Sequence, residues 1–287
     1  MFLMKEIIMT FIDALIVIFI GIIEGITEWL PVSSTGHMLL FDEFFTMKQS
    51  DAFKEMFFVV IQLGAILAVV VLFWKKMWPF GLKKTEEKSK IILKKDIFMT
   101  WVKVVIACIP GAIITILFDD YVEAHFTTPV VIASALIFYG LLFIIVETWN
   151  KNRKPKVDEL SSLPYRYALI IGLFQVLSIV PGTSRSGATI IGALLVGISR
   201  TVAAEFTFFL AVPAMFGLSL IKLVKFGFHF STVELLTLLL GMVVAFVVSL
   251  GVIRFLMNYI KKHDFKVFGY YRIALGILVL IYFLLIK

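Results

Sequence analysis

Long apolar runs alternate with short polar segments along most of this chain. Six of the runs are long enough to cross a hydrocarbon core of roughly 30 Å, which takes about 20 helical residues. They cover approximately 56–74, 99–118, 129–148, 203–224, 234–257 and 269–286. Runs of this length predict membrane-spanning helices, so we expect an all-α, polytopic membrane protein.

Two further apolar stretches, 11–40 and 167–198, have a different pattern. Each is interrupted in its middle by Pro, Gly, Ser and charged residues. Non-helical backbone at membrane depth is tolerated only where protein or a wet cavity surrounds it. We therefore expect each stretch to be a broken helix whose internal turn is enclosed by the rest of the protein.

The loop charges predict how the segments are oriented. Three short segments are rich in Lys and Arg: 75–95, 151–166 and 261–266. Such loops stay in the cytoplasm, which places the acidic loop 119–128 outside. The stretch 167–198 then has to enter from the cytoplasm and return to it, whereas 11–40 enters and returns from the outside. Each half of the chain becomes one re-entrant hairpin followed by three spans, and the two halves have opposite orientations.

A short internal similarity agrees with this topology. Sliding the chain by 151 positions pairs Gly21 with Gly172 and Ser33 with Ser184. Inverted repeats that carry broken helices near the bilayer midplane are a known plan for membrane proteins. We predict one membrane domain with these limits: 1–287 overall, about 1–150 for repeat one and about 160–287 for repeat two. The two interrupted stretches would face each other across a central cavity.

Composition also indicates a lipid environment. Of the 287 residues, 61% are hydrophobic and 16% are charged, against averages of about 45–50% and about 25% in soluble proteins. The net charge is +7, but the basic residues follow the loops, so we expect no nucleic-acid partner. A single cysteine, Cys108, excludes an intrachain disulfide.

The first polar motif is EGITEWLPVSSTGH at 24–37. Glu24 and Glu28 are four residues apart, so they share one face of a helix. Two such carboxylates suit a divalent cation bound through oxygen, and they also suit general acid–base chemistry. The alternative is a solvated pair near a helix end. Ionisable residues inside membranes are rare and usually functional, which favours a functional pair.

Hydroxyl groups and a histidine follow Pro31: Ser33, Ser34, Thr35 and His37. A hydroxyl beside a histidine fits a nucleophile–base pair, or a histidine that acts as acid, base or nucleophile. Taken alone, such a segment more often caps a helix. Its position next to the two glutamates favours the chemical role.

The second polar motif is PGTSRSGAT at 181–189. A guanidinium such as that of Arg185, set among hydroxyls at a helix N-terminus, makes a phosphate clamp. The alternative is a salt bridge from Arg185 to Glu24 or Glu28, and a resting clamp allows both. We predict the following phosphate-binding residues: Ser33, Thr35, Gln62, Thr183, Ser184, Arg185, Ser186 and Thr189.

The remaining charged residues and the missing motifs narrow the function. We expect Lys222 and Arg254 to extend towards the membrane surface, and Glu205 to be an ordinary charge at a helix N-terminus. The chain has no H-E-x-x-H, G-x-S-x-G or Walker A sequence. This argues against a zinc protease, an elbow-type serine hydrolase and an ATP-driven pump.

Together the two motifs resemble the signatures of the undecaprenyl-diphosphate phosphatases of the bacitracin-resistance type. The resemblance covers essentially the whole chain, including QLGAILA at 62–68 and FLAVPAMFG at 209–217. It implies hydrolysis of undecaprenyl diphosphate to the monophosphate and phosphate, which recycles the lipid carrier of peptidoglycan synthesis. It also implies a bacterial plasma-membrane location, an active site facing the outer side and a divalent cation, Mg²⁺ or Ca²⁺. The functional residues that the resemblance implies are Glu24, Glu28, Ser34, His37, Ser184, Arg185 and Thr189.

The residue chemistry agrees with that activity. Arg185, with a cation held by Glu24 and Glu28, would offset the charge that builds on the phosphate. We prefer Ser34 as nucleophile with His37 as base or acid, and His37 as the direct nucleophile is the alternative. A lipid flippase or an ion or phosphate carrier is the rival function, because inverted repeats often serve alternating access. Membrane lipid is an expected partner, and the sequence also allows a homodimer.

Overall fold

The computed structural model describes residues 11–84 and 89–286 and is predominantly helical. Among these described residues, six helices are long and apolar enough to cross a membrane: Asp51–Met77, Lys95–Val122, Pro129–Asn150, Arg200–Phe226, Thr232–Tyr259 and Lys266–Leu285. They correspond one to one to the six predicted runs, and each is a few residues longer than its run. The prediction of an all-α, polytopic membrane protein is confirmed. Parts of the predicted domain and of the basic loop lie outside the described residues, namely 1–10, 85–88 and 287.

The helices have the following bounds: α1 Phe11–Thr27, α2 Ser34–Phe44, α3 Asp51–Val60, α4 Gln62–Met77, α5 Lys95–Phe126, α6 Pro129–Asn150, α7 Tyr165–Val176, α8 Arg185–Leu195, α9 Arg200–Phe226, α10 Thr232–Tyr259 and α11 Lys266–Ile281. The first predicted span therefore consists of α3 and α4, which meet at Ile61. A 3₁₀ turn, Leu177–Ile179, follows α7, and a π-helical segment, Tyr282–Ile286, extends α11.

Both interrupted stretches form two short helices joined by a turn. α1 packs against α2, and α7 packs against α8. Pro31 and Pro181 lie in the two turns, where a proline that lacks an N–H and disfavours a helical preceding residue interrupts the helix. The broken-helix prediction is confirmed for both stretches, and their entry and exit on one side of a bilayer stay a prediction.

The first helix of each broken pair packs on a span from the other half of the chain. α1 lies against α10, and α7 lies against α5. A Cβ atom on Gly21 would come within 2.8 Å of Val244 Cβ on α10, and one on Gly172 would overlap the backbone of Ala107 on α5. Small residues allow helices to approach this closely in membranes. The reciprocal packing is what two related repeats would produce, and the inverted repeat and its limits stay predictions.

Two loops contain more regular structure than the sequence analysis indicated. Strands β1 Phe80–Lys84 and β2 Ser89–Leu93 form an antiparallel hairpin in the basic loop, with Phe80 opposite Leu93. Pairing in the hairpin provides hydrogen-bond partners for the backbone N–H and C=O groups of this segment. In an irregular loop these groups would have to bond to water. The predicted outer loop 119–128 is helical through Phe126. Its polar residues end the apolar run but not the helix, because a helix outside the hydrocarbon core can carry polar side chains.

Candidate active site

The two polar turns have the same unusual backbone geometry. Ser33 has φ of 73° and Ser184 has φ of 69°, and each serine immediately precedes a helix, α2 or α8. Non-glycine residues with positive φ are uncommon, and such conformations cost of the order of 1–3 kcal/mol each. Ser184 gains partial compensation because its Oγ accepts a hydrogen bond from the Gly187 amide at 3.2 Å. Strain repeated at corresponding positions points to a shared functional geometry.

Glu28 joins the two turns. Arg185 Nη2 lies 3.0 Å from Glu28 Oε1, and the Ser186 hydroxyl donates to the Glu28 carbonyl oxygen at 3.2 Å. Both side chains of the ion pair are largely buried, at 13% and 9% exposure. The two motifs, far apart in sequence, therefore meet at one carboxylate, as the sequence analysis expected of a resting clamp.

A hydrogen-bond network holds Arg185 in place from behind. Its Nη1 donates to the carbonyl of Thr207 on α9 at 3.2 Å. The hydroxyls of Thr189 and Thr207 lie 2.9 Å apart, and Thr189 also donates to the Arg185 carbonyl at 2.9 Å. A guanidinium restrained in this way is positioned before any ligand arrives.

Ser34 and His37, the predicted nucleophile–base pair, have different partners. The Ser34 hydroxyl donates to Glu28 Oε2 at 3.4 Å. His37 Nδ1 lies 2.7 Å from the Ser33 carbonyl oxygen, and its Nε2 lies 2.6 Å from the Tyr271 hydroxyl. Because a carbonyl only accepts, Nδ1 is the protonated nitrogen of the neutral ring, and Nε2 accepts from Tyr271. Both ring nitrogens are thus engaged by groups other than Ser34, and Glu28 is the base that Ser34 faces.

Glu24 is the second carboxylate of the predicted cation site. It lies one helical turn before Glu28, is 1% exposed, and its Oε1 is buried without a hydrogen-bond partner. The described residues contain no cluster of three or more His, Cys, Asp or Glu side chains. Two carboxylates with an unpaired oxygen fit a hard cation that takes its remaining ligands from water and substrate oxygens. The two carboxylates would suit the predicted Mg²⁺ or Ca²⁺, and a cation held by Glu24 and Glu28 stays a prediction.

The two turns open onto a cavity of about 510 Å³. Six predicted site residues line it: Glu28, Ser34, Thr35, Gln62, Ser184 and Arg185. The rest of the wall is largely apolar and comes mainly from α5 and α9, with Ile116, Pro213 and Leu218 among its residues. A mostly apolar cavity with a few convergent polar groups is typical of a binding site for an amphipathic ligand.

The other predicted phosphate-binding residues lie behind this wall. Ser33, Thr183, Ser186 and Thr189 are each at most 1% exposed, and they are absent from the cavity lining. The hydroxyls of Ser186 and Thr189 instead donate to the main-chain carbonyls of Glu28 and Arg185. A phosphate-binding role for these four residues stays a prediction, and the buried Ser33 hydroxyl has no hydrogen-bond partner among the described residues.

Arg272 is a residue of this site that the sequence analysis missed. It lies on α11, is fully buried, and donates to the Pro31 carbonyl at 3.2 Å, the Gly182 carbonyl at 2.7 Å and the Thr183 carbonyl at 2.8 Å. One side chain thereby connects both turns. The signal for finding it was an arginine inside the apolar run 269–286, where a charge is costly unless it is functional or paired.

Two other charged residues form ion pairs between helices. Lys222 lines the cavity, and its Nζ lies 3.9 Å from Asp119 Oδ2 in the predicted outer loop, so its extension towards the membrane surface stays a prediction. The prediction that Glu205 is an ordinary charge at a helix N-terminus was wrong, because α9 begins at Arg200 and Glu205 lies beyond its first turn. Glu205 is 8% exposed and pairs with Lys76 Nζ at 2.6 Å. Both pairs connect helices that the sequence alone could not place side by side.

Comparison with known proteins identifies the family of this chain. The family model described as bacitracin resistance protein BacA matches residues 17–278. The chain is 68% identical over 271 residues to an undecaprenyl-diphosphatase of Enterococcus faecalis, which covers 94% of this chain and 97% of that protein. It is 61% identical over 279 residues to an undecaprenyl-diphosphatase of Lachnoclostridium phytofermentans, covering 97% and 100%. It is also 57% identical over 270 residues to an undecaprenyl-diphosphatase of Acetivibrio thermocellus, covering 94% and 97%. With two motifs that meet at one buried carboxylate and a family match over almost its whole length, the chain belongs to the bacitracin resistance protein BacA family.

Proposed function

We propose that this protein hydrolyses undecaprenyl diphosphate to undecaprenyl phosphate and phosphate in the bacterial plasma membrane. This reaction recycles the lipid carrier of peptidoglycan synthesis and so confers resistance to bacitracin. One observation carries the proposal: Glu28, in the cavity wall, accepts from Arg185 through one carboxylate oxygen and from Ser34 through the other. The similar proteins named undecaprenyl-diphosphatase support the same activity.

The cavity suits both parts of such a substrate. Arg185, Ser34 and Gln62 provide a polar, cationic end for the diphosphate. The apolar wall contributed by α5 and α9 accommodates the first units of the prenyl chain. Arg185 would move from Glu28 to the phosphate oxygens on binding, because a guanidinium forms paired hydrogen bonds with either anion.

The chemical step follows from the contacts of Ser34. Its Oγ attacks the terminal phosphorus while its proton passes to Glu28 Oε2, the oxygen to which it already donates. The bond from that phosphorus to the bridging oxygen breaks, and undecaprenyl phosphate leaves. Water then attacks the phosphoserine phosphorus while Glu28 returns its proton to Ser34 Oγ. The serine hydroxyl and the carboxylate are regenerated, and both hydrogens of the water leave with inorganic phosphate. His37 as the direct nucleophile is the alternative, and its ring would first have to give up Ser33 or Tyr271.

We assign the cation to Glu24 and Glu28. A bound Mg²⁺ or Ca²⁺ would offset the negative charge that builds on the phosphate oxygens. The unpaired buried oxygen of Glu24 supports this assignment, because a carboxylate in that position is costly without a cation or a proton.

We place the opening of the cavity on the outer side of the membrane. Asp119, Thr127 and Lys222 line it and lie near the ends of α5 and α9 that are remote from the basic loops. Loops rich in Lys and Arg stay in the cytoplasm, so the opposite end faces outward.

Phosphate release from a prenyl diphosphate by detergent-purified protein tests the proposal. Arg185→Ala should lower turnover by about a hundredfold or more, as loss of a charge-stabilising donor typically does. Arg254→Ala removes an exposed arginine of α10 and serves as the matched control, with near-normal turnover. Activity of Arg185→Ala close to that of the control would overturn the clamp. Absence of release by the wild type with cation present would favour the carrier alternative, which the phosphatase relatives do not support.

A further inference from the structure

A second cavity, of about 400 Å³, lies at the other end of α8 from Arg185. The basic pocket, as we call it, is formed where α6 ends, α9 begins and the segment 151–156 passes over them. It shares no lining residue with the cavity described above. Arg185 opens α8 and Leu195 closes it, which separates the two sites by about 15 Å along the helix.

Most of the charged side chains that line the basic pocket are positively charged. Glu147 is the acidic residue of its lining, and it is already neutralised by Arg200 through contacts of 2.6–3.1 Å. The same carboxylate accepts from the Phe265 amide at 3.0 Å, so its oxygens are occupied by groups of the protein itself. Five more basic side chains surround the cavity without an ion pair to any described residue: Lys151, Arg153, Lys154, Lys156 and Lys261.

Contacts with neighbouring parts of the fold hold the basic segment of the pocket in place. Lys156 donates its amide to the Gly197 carbonyl at 2.7 Å, and the Ser199 amide donates to the Val157 carbonyl at 2.9 Å. Arg153 stacks at 3.6 Å over the ring of Trp149. These contacts fix the basic segment over the start of α9, where helix amides and the helix dipole add to the attraction for an anion.

We propose that the basic pocket binds a phosphate monoester group. A concave site with several unpaired cations suits a compact dianion better than a singly charged group, because each cation adds to the attraction in a partly enclosed site. Such a group is presented by an anionic lipid headgroup or by free phosphate. Trp149 is 47% exposed at the rim and Leu195 is 37% exposed, and aromatic residues are enriched at the level of lipid headgroups. The pocket is independent of the phosphatase proposal, since it would bind its ligand whichever reaction the other cavity serves.

The test uses the full chain in detergent with Arg185→Ala, so that the other cavity lacks its guanidinium. Titration calorimetry measures binding of dioctanoyl phosphatidate and, separately, of inorganic phosphate. Adding Lys154→Glu and Lys261→Glu should weaken phosphatidate binding at least tenfold. Adding Arg166→Glu and Lys262→Glu, which change the same number of charges in the same two segments outside the lining, should change it by less than twofold.

Equal weakening in the two variants would overturn the proposal, since it would show attraction to general surface charge. So would failure of both ligands to bind the Arg185→Ala protein. Binding of both ligands at the pocket identifies a site for free phosphate, and binding of phosphatidate alone identifies a headgroup site. The pocket pair is also made with Arg185 intact, where retained phosphate release from prenyl diphosphate shows a folded protein. If that protein is inactive, the milder Lys154→Gln and Lys261→Gln pair replaces it, with an expected weakening of at least threefold.

Discussion

Arg185 and Glu28 are 157 positions apart in the chain, and their side chains are 3.0 Å apart in the structure. The other oxygen of the same carboxylate accepts from Ser34, so one group serves the predicted phosphate clamp and the predicted nucleophile. The geometry therefore favours Glu28, in place of His37, as the group that takes the serine proton.

Glu28→Gln is expected to reduce phosphate release by about 10²–10³-fold. The amide keeps the shape of the side chain, but it neither accepts a proton from Ser34 nor neutralises Arg185. Turnover of prenyl diphosphate by purified protein measures the effect. Glu55→Gln changes an exposed carboxylate of α3 and should leave turnover unchanged. A Glu28→Gln enzyme as active as that control would remove Glu28 from the mechanism.

Ser34→Ala is expected to abolish both turnover and covalent labelling. If Ser34 attacks phosphorus, rapid quenching with labelled substrate should trap an acid-stable phosphoserine. Ser178→Ala serves as control, because Ser178 lines the same cavity and donates to the Gln175 carbonyl. An acid-labile label that survives in Ser34→Ala and disappears on replacement of His37 would identify His37 as the nucleophile.

Tyr271→Phe is expected to leave turnover near that of the wild type. The change removes the hydroxyl 2.6 Å from His37 Nε2, but in the proposed step Ser34 attacks phosphorus and Glu28 takes its proton, so the His37 ring is not required. Tyr270→Phe, at the adjacent and exposed position, is the matched control. A clear loss of turnover in Tyr271→Phe but not in Tyr270→Phe would give His37 a part in the reaction.

Arg272→Lys is expected to reduce turnover at least tenfold and to lower the melting temperature. A lysine keeps the charge, but its single ammonium group lacks the fork that reaches Pro31, Gly182 and Thr183 together. Hydrogen bonds to charged groups contribute about 1.5–3 kcal/mol each, so losing even one is measurable. Arg254→Lys is the control. Full activity in Arg272→Lys would mean that the turns hold their geometry without a shared donor.

Glu24→Gln is expected to raise the concentration of Mg²⁺ or Ca²⁺ needed for half-maximal activity. The variant keeps a neutral oxygen donor but loses the charge that attracts the cation. Activity is measured against free cation after treatment with a chelator, with Glu55→Gln as control. An unchanged cation dependence together with normal maximal activity would place the cation elsewhere.

Hydrophobic patterning was sufficient to predict the parts of the fold that depend on residues close together in the sequence. A run such as 129–148 is long and uniformly apolar, so its helical state in lipid follows from the need to pair backbone groups. The positions of the breaks at Pro31 and Pro181 were also readable, because proline acts on its own neighbourhood. The hairpin formed by β1 and β2 was not readable, since it depends on two segments pairing across residues of no distinctive pattern.

The sequence predicted which residues belong to the candidate site better than it predicted the contacts between them. Glu24 and Glu28 were found through their spacing on one helix, and Arg185 through its place among hydroxyls at a predicted helix N-terminus. The orientation of His37 was out of reach, because it depends on Tyr271 from a helix more than two hundred residues later. Arg272 was missed for the same reason, since its partners become visible only when α11 lies against both turns.

The position of Arg272 on the last spanning helix bears on how the protein matures. A ribosome makes the Pro31 turn 241 residues before this arginine, and it makes the Gly182 turn 90 residues before it. Until α11 is inserted, neither turn has the guanidinium that donates to both of them. A chain released early therefore carries every residue of the two polar motifs and still lacks their common anchor, so catalytic competence arrives with the final stage of membrane insertion.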